Sequence, residues 1–386
     1  MDSLVKSIDP IDNYDTVVKI HPTFGREVCD MIKTAVIGAA GYTGIELVRL
    51  LLGHPLFELT QATTNSNAGQ PVASVYPAFL GQTDLVFTGH DIESIKTSCS
   101  LVFLAVPHTA ALHLAPQLLD AGITVIDLSA DFRINDPAIY EQWYGTPHTA
   151  PSLLDAAVYG LPEMNRAALL QLAAELAESG KPALVACPGC YPTATTLALL
   201  PALQVGLVDP RATVVINAIS AVSGAGRTPS AKTHFCSANE DISAYAASTH
   251  RHTPEIEQTL TQAAGQEIKV SFTPHLAPLQ RGLLSTVSVA LAEGVSSEQL
   301  YTAYGKSYAA EPFTYFISQG MPHTASVVGS NNAQVGIAHD QRTGTLIASC
   351  AIDNLGKGAA SQAIQCANIV YGLDEKTGLG AQAPVV

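Results

Sequence analysis

The sequence is poor in positive charge. It has 19 Lys and Arg against 33 Asp and Glu, a formal net charge of −14. A surface of that sign repels phosphate backbones and anionic lipid heads, which argues against nucleic acid or a membrane as partner. A small anionic substrate needs only a local cationic pocket. Charge of either sign is scarce, 13% of residues against 47% hydrophobic, so the 386 residues should build sizeable cores rather than extended disorder. No run of about 18 apolar residues occurs, and no transmembrane helix is expected. Residues 1–30 lack both a basic stretch ahead of an apolar core and an Arg-rich amphipathic pattern. They carry Asp2, Asp9, Asp12, Asp15, Glu27 and Asp30, the wrong sign for a transit peptide. They are read as a dispensable N-terminal extension, with Met31 a sensible alternative start. The seven cysteines, an odd number, point to a reducing cytosol and a cytoplasmic protein.

What is present centres on Ala183 to Leu200. Ala183–Ala186 reads as a short buried strand, and Tyr191–Leu200 as a helix with Pro192 in its first turn. Cys190 falls where strand becomes helix. Unpaired N–H groups and the positive end of the helix dipole favour an anion there, so the position should lower the thiol pKa and raise its reactivity. Cys187 ends the strand ahead of Pro188 and is the expected buried member of the pair. The same residues, Cys187-Pro-Gly-Cys190, also form a C-x-x-C. That leaves open a redox pair, a zinc site with a distant histidine pair, or a structural cysteine. No second C-x-x-C exists.

Thr34–Gly38 is a short apolar strand that runs into Gly38-Ala-Ala-Gly41-Tyr42-Thr43-Gly44 and then a helix through Leu52. Glycines at that strand–turn–helix junction let backbone approach a pyrophosphate seated on the helix N-terminus. The second strand, Phe57–Thr63, is followed by Thr64-Asn65-Ser66, with no acid to bind a ribose 2′-hydroxyl, so NADP is favoured over NAD. The usual cation for a 2′-phosphate is missing too: no Lys or Arg lies between Arg49 and Lys96. Further strands at Leu101–Val106 and Ile123–Leu128 alternate with helices, the pattern of a Rossmann-type doubly wound parallel sheet. Pro107, His108, Ser129 and Arg133 fall at carboxyl ends of its strands, where ligands bind. Strands at Thr213–Ser220, Ile268–Phe272, Leu283–Leu291, Ala333–Ala338 and Thr345–Ile352 predict a second, α+β domain with a mixed, largely antiparallel sheet. The expected division is a dinucleotide-binding domain at 31–185, completed by a C-terminal helix in 354–386, and a catalytic and oligomerisation domain at 186–353.

A nucleotide turn together with an activated cysteine suggests hydride chemistry on a thioester formed from an acyl phosphate. Such a step needs an acid/base group with a pKa of about 7. His252, with Glu255 as its orienting carboxylate, fits, and His250 is the close competitor. Arg133, Arg227, Arg251 and Arg281 are the cations available for phosphate and carboxylate.

Several stretches resemble N-acetyl-γ-glutamyl-phosphate reductase in its longer form, of the semialdehyde dehydrogenase superfamily. They are the Gly38–Leu47 turn, Leu128–Arg133, Tyr159-Gly-Leu-Pro-Glu163, Ala186–Thr193, His250-Arg-His-Thr-Pro-Glu255, Pro274-His-Leu-Ala-Pro278 and Asn354-Leu-Gly-Lys-Gly-Ala-Ala360. The resemblance implies NADPH-dependent reduction of N-acetylglutamyl 5-phosphate to the 5-semialdehyde, a step of arginine biosynthesis, through a thioester on Cys190 with His252 as acid/base. It implies cofactor contacts from Gly38, Gly41, Tyr42, Thr43, Gly44, Asn65, Pro107, His108, Ser223, Gly224 and Asn354. Substrate contacts would come from Ser129, Arg133, Arg251 and His275, no metal is implied, and a homodimer or tetramer is expected. The family commonly carries an Arg where this chain has Thr64-Asn65-Ser66. A related reductase acting on an aminoadipyl phosphate, and a nucleotide sensor without turnover, are the other readings. An intact Cys190, His252 and Glu255 set speaks against the sensor.

Overall fold

The computed structural model describes residues 31–385. The expectation that the first 30 residues are dispensable lies outside them. Six parallel strands form the first sheet: β1 Ile32–Ile37, β2 Phe57–Thr63, β3 Leu101–Leu104, β4 Thr124–Asp127, β5 Ala157–Tyr159 and β6 Leu184–Ala186. Their order is β2-β1-β3-β4-β6-β5. β3, β4 and β6 are buried along their whole length, as near-continuous apolar runs covered on both faces must be. One face packs on the Tyr42–Leu52 helix and the C-terminal Ser361–Val370 helix, through Leu47, Leu51, Ile364 and Ala367. The other face packs on Leu112, Ala115 and Leu118 of the Ala111–Asp120 helix and on Tyr140.

The second sheet has seven strands: β7 Val214–Ala221, β8 Ser243–Ala244, β9 Val270–Ala277, β10 Leu283–Ala290, β11 Thr314–Ile317, β12 Ala333–Asp340 and β13 Thr345–Ile352. The order is β11-β12-β13-β10-β7-β9-β8. It is mixed and mainly antiparallel, with β11–β12 and β7–β9 the parallel pairs. Burial alternates along β7 and β10, so Val214, Ile216, Leu283 and Val287 point to one core. That core is filled by the Cys190–Gln204 helix, whose residues from Tyr191 to Leu203 are all buried. An element apolar on every side belongs in an interior, and here it runs directly on from β6 to join the two sheets.

Two helices outside the expected elements carry clear local signals. The helix Pro137–Tyr144 starts on the Asp136 cap with Pro137 at its first position and stops at Gly145 in the left-handed region. A capping box between Ser296 and Gln299 opens Ser297–Tyr308. Among the described residues no helix is long and apolar enough to cross a membrane.

Candidate active site

Gly189 is the N-cap of the Cys190 helix. It is extended, with φ −69° and ψ 160°, and no side chain caps the turn. Cys190 is therefore the first helical residue, partly buried at the end of β6. Both sides of this loop are tightly packed. A Cβ on Gly189 would run into the His252 imidazole, with Nε2 its nearest atom. A Cβ on Gly358 would lie 2.8 Å from the Cys190 Cβ. Gly358 belongs to a π-helical turn, Gly356–Ala360, that leads into the C-terminal helix. Cys187, fully buried, meets the Cys366 thiol, and burial first, then that neighbour, push the Cys187 thiol well above its usual range. The described cysteines are all free thiols. Among the described residues no three metal-ligating side chains come together.

The electrostatics of Cys190 differ from the expectation of a lowered thiol pKa. Burial pushes the thiol up to about 11, while the Tyr191 N–H and the Arg133 charge pull the other way. Loss of hydration outweighs one helix N-terminus. His252 moves in the opposite direction. Burial, followed by the neighbouring His250 and the charge of Arg133, holds it well below the usual imidazole range. At neutral pH the site therefore holds a protonated thiol and, packed against the residue before it, a neutral imidazole.

Glu255 does not orient His252, contrary to expectation. It sits in the first turn of the Thr253–Ala264 helix and reaches back to the cysteine loop. Its Oε1 accepts the Gly189 N–H at 2.9 Å and the Tyr159 hydroxyl at 2.8 Å, and Oε2 lies 3.5 Å from Arg133 Nη1. Among the described residues the buried His252 Nδ1 has no hydrogen-bond partner. The competitor His250 uses Nδ1 to accept the His252 N–H at 3.1 Å, with Nε2 3.4 Å from the Tyr245 hydroxyl. Burial and Arg251 push His250 down to about 4.

The residues expected to hold substrate divide into two groups. Arg133 is buried beneath the cysteine loop, donating to Cys187 O at 2.7 Å and Leu128 O at 2.8 Å, so much of its guanidinium is committed to the fold. Ser129 Oγ donates to Asp127 and accepts the Asp131 N–H. These two brace the site from below. Arg251 instead is exposed, 3.2 Å from His108 Nδ1 and over the Tyr144 ring, so a cation of the second sheet's connections meets the end of β3. His275, on β9, has a buried Nδ1 with no partner among the described residues, and its carbonyl accepts the Tyr191 hydroxyl. Arg281 is tied to Glu46 and Asp353 and is no candidate for an anionic substrate.

The glycine turn fits a dinucleotide. Gly38 has φ +89° and abuts the Ala105 carbonyl, where a side chain has no room. Gly44 packs on the Gly38 carbonyl, which draws the helix onto the strand. The helix that follows, Tyr42–Leu52, has no side-chain cap and no acid in its first turn. Beyond β2, Thr64 and Ser66 offer hydroxyls 3.2 Å apart beside Asn65. The Pro107–His108 loop after β3 is fixed by Asp131, which accepts the Thr109 N–H at 2.7 Å and the Ala111 N–H at 3.0 Å. Asn354 joins Ser223 to Gly282, donating to Ser223 Oγ at 2.9 Å and accepting the Gly282 N–H at 2.8 Å. Gly224 stands over Ser220. Arg227, four residues on from Ser223, donates to Ala40 O at 3.0 Å and lies over the Tyr76 ring. Tyr159 and Gly358 are the residues that motif reading quoted without assigning. Their only sequence signal was their place in the Tyr159–Glu163 and Asn354–Ala360 blocks.

Residues 33–172 match the family model described as semialdehyde dehydrogenase, NAD binding domain, and residues 190–354 match semialdehyde dehydrogenase, dimerisation domain. A protein of Desulforudis audaxviator named N-acetyl-gamma-glutamyl-phosphate reductase is 47% identical over 90% of this chain and 98% of its own length. One of Moorella thermoacetica with the same name is 45% identical over the same shares. Among solved structures, aspartate semialdehyde dehydrogenase II of Vibrio cholerae superposes with a TM-score of 0.66 at 16% identity, covering 89% of this chain and 98% of that one. Aspartate semialdehyde dehydrogenase of Candida albicans, solved with NADP, gives 0.64 at 16% identity over 90% and 99%. At such identities the structures share the fold.

Proposed function

Because the chain belongs to the N-acetyl-gamma-glutamyl-phosphate reductases of the semialdehyde dehydrogenase family, we propose that it reduces N-acetylglutamyl 5-phosphate to the 5-semialdehyde and phosphate, with NADPH as reductant, in arginine biosynthesis. One observation carries the chemistry: a neutral imidazole, His252, packed on the residue before a thiol at a helix N-terminus.

Cys190 gives its proton to His252 Nε2, the ring atom closest to the loop. The sulfur attacks the acyl carbonyl, a C–S bond forms, the C–O bond to phosphate breaks, and phosphate leaves. NADPH, when held by the glycine turn, would supply the hydride that reduces the thioester carbon. As the C–S bond breaks, the sulfur recovers its proton from His252 and the aldehyde departs. N–H groups of the first turn after Gly189 are suited to the developing oxyanion. Glu255 and Arg133 fix the loop that carries the thiol. Arg251 and His108, at the exposed mouth, are suited to the substrate's anionic groups, with His275 further along β9. The turn Gly38–Gly44, with Asn65, Pro107, Ser223, Gly224 and Asn354, is proposed to hold the dinucleotide. The division into 31–185 with 354–386, and 186–353, is proposed as well, with the second part mediating a homodimer or tetramer in the cytoplasm.

The names and high coverage of the relatives favour the glutamyl substrate over an aminoadipyl one. The test mixes protein with the acyl phosphate in the absence of NADPH and maps the adduct by mass spectrometry. An acyl group on Cys190 is expected, together with phosphate-dependent NADP reduction by the semialdehyde. Absence of both overturns the reading.

A further inference from the structure

The segment after β2 lacks a cation nearby in sequence, yet one stands on the nucleotide turn in space. Arg227 comes from the loop after β7, which begins at the second sheet, and Gly226 before it has φ +87°. Its Nη1 donates to the carbonyl of Ala40, in the middle of the Gly38–Gly44 turn. The guanidinium lies over the Tyr76 ring at 5.0 Å from the centroid, and the Tyr76 hydroxyl donates to the same carbonyl at 2.7 Å. Among the described residues no carboxylate pairs with Arg227, whereas Arg49, Arg133, Arg166 and Arg281 are all paired. The residue is exposed. It therefore presents a charge with uncommitted donors at the edge of the turn.

The side of the turn matters. Tyr76 belongs to the segment that follows β2, and β2 is the edge strand beyond β1. In a sheet of this kind the adenosine ribose lies over the end of β2, and the pyrophosphate over the helix N-terminus. Arg227, on the Tyr76 ring, is thus held by the segment that follows β2, the same segment that carries Thr64-Asn65-Ser66 with hydroxyls and an amide but no charge. A guanidinium is the group best shaped to grip a phosphate monoester, and stacking on a ring holds it ready. We propose that Arg227 is the specificity-determining cation for the cofactor's 2′-phosphate, delivered from the second sheet's connections in place of the missing arginine after β2. The inference rests on the NADPH reading above and adds the residue that makes the choice.

The experiment titrates NADP and NAD separately into the full-length protein by fluorescence quenching, for wild type, Arg227→Leu and Arg227→Lys. Loss of a charge-assisted contact of this kind should weaken NADP binding about tenfold to a hundredfold in Arg227→Leu, with NAD binding unchanged. Arg227→Lys should recover part of the loss. A melting curve without cofactor separates binding from folding. Equal losses for NADP and NAD would assign Arg227 to the pyrophosphate or to the loop's structure and overturn the proposal. So would NADP binding that survives Arg227→Leu intact. Wild-type protein that binds NADP no better than NAD would instead sink the cofactor reading itself, and the two failures are told apart in the first titration.

Discussion

Glu255 Oε1 accepts the N–H of Gly189 at 2.9 Å, across 66 residues of sequence, so the carboxylate grips the residue immediately before the thiol. It is fully buried, and the nearby Arg133 compensates its charge. Removing one partner of a buried pair typically costs about 3–5 kcal/mol. Glu255→Ala should lower the melting temperature and kcat together. Glu255→Gln keeps an acceptor for Gly189 and should do less harm. In neither case should the limb of the kcat/KM pH profile that belongs to His252 move, since Glu255 makes no hydrogen bond to His252 and does not shift its pKa. A shifted limb would show that the carboxylate tunes the histidine after all.

Cys190→Ser should abolish turnover, because a serine hydroxyl is far harder to deprotonate than a thiol and the ester it would form is a poorer hydride acceptor than a thioester. Cys187→Ser should fold and stay largely active. Its thiol meets Cys366 within the core, not substrate. If both variants behaved alike, and an oxidant switched wild type off reversibly, a redox pair would replace the nucleophile.

His252→Asn should lose on the order of 10²–10⁴ in kcat, the usual contribution of a placed proton acceptor. Cofactor affinity should be unchanged. His250→Asn should cost less in rate, since His250 holds the His252 backbone N–H and is pushed down to about 4. The reverse ranking in single-turnover kinetics would exchange the two roles.

Asp127 offers a pH signature of stability. Burial, then the neighbouring Asp131, raises its carboxyl from 3.8 to about 7, against the opposing Ser129 hydrogen bonds and Arg133. The native state keeps this proton where the unfolded chain has lost it. The group's stabilisation is therefore complete below about pH 4 and is lost as pH rises to about 7, at up to about 1.4 kcal/mol per unit. Asp127→Asn lacks the titration. Its stability relative to wild type, from urea unfolding at each pH, should rise across that window. A constant offset would mean that Asp127 is already ionised in the folded protein.

Sequence reasoning reached what local pattern encodes. β2 and β13 coincide with their expected spans, and Cys190 stands at the strand–helix junction. The glycine turn opens a helix as its spacing required. What it could not see depends on which elements lie side by side. The thiol pKa follows from burial by surrounding elements, so a rule about helix N-termini gave the wrong direction. Glu255 sits three residues after His252, which suggested a partnership along the chain, whereas its partners come from β5, from the Gly189 turn and from Arg133. Arg227 is 187 residues from Ala40, and only the approach of β7's loop to the first sheet joins them. The Pro137–Tyr144 helix is a different case. Its Asp136 cap, first-position Pro137 and closing Gly145 are readable signals.

The π-helical turn at Gly356–Ala360 gives the thiol a dependence on the order of synthesis. Gly358 seats against Cys190, and the adjoining Lys357 ammonium, fully buried, lies 2.8 Å from the Glu163 carboxylate. A nascent chain carries its cysteine, histidine and glycine turn long before Lys357 leaves the ribosome. Until then Glu163 lacks the Lys357 ammonium, and the helix that closes one face of the first sheet does not exist. Synthesis of the segment from Gly356 to Val370 thus completes both the core and the reactive loop, and a chain stopped short of it lacks the packing that seats the thiol.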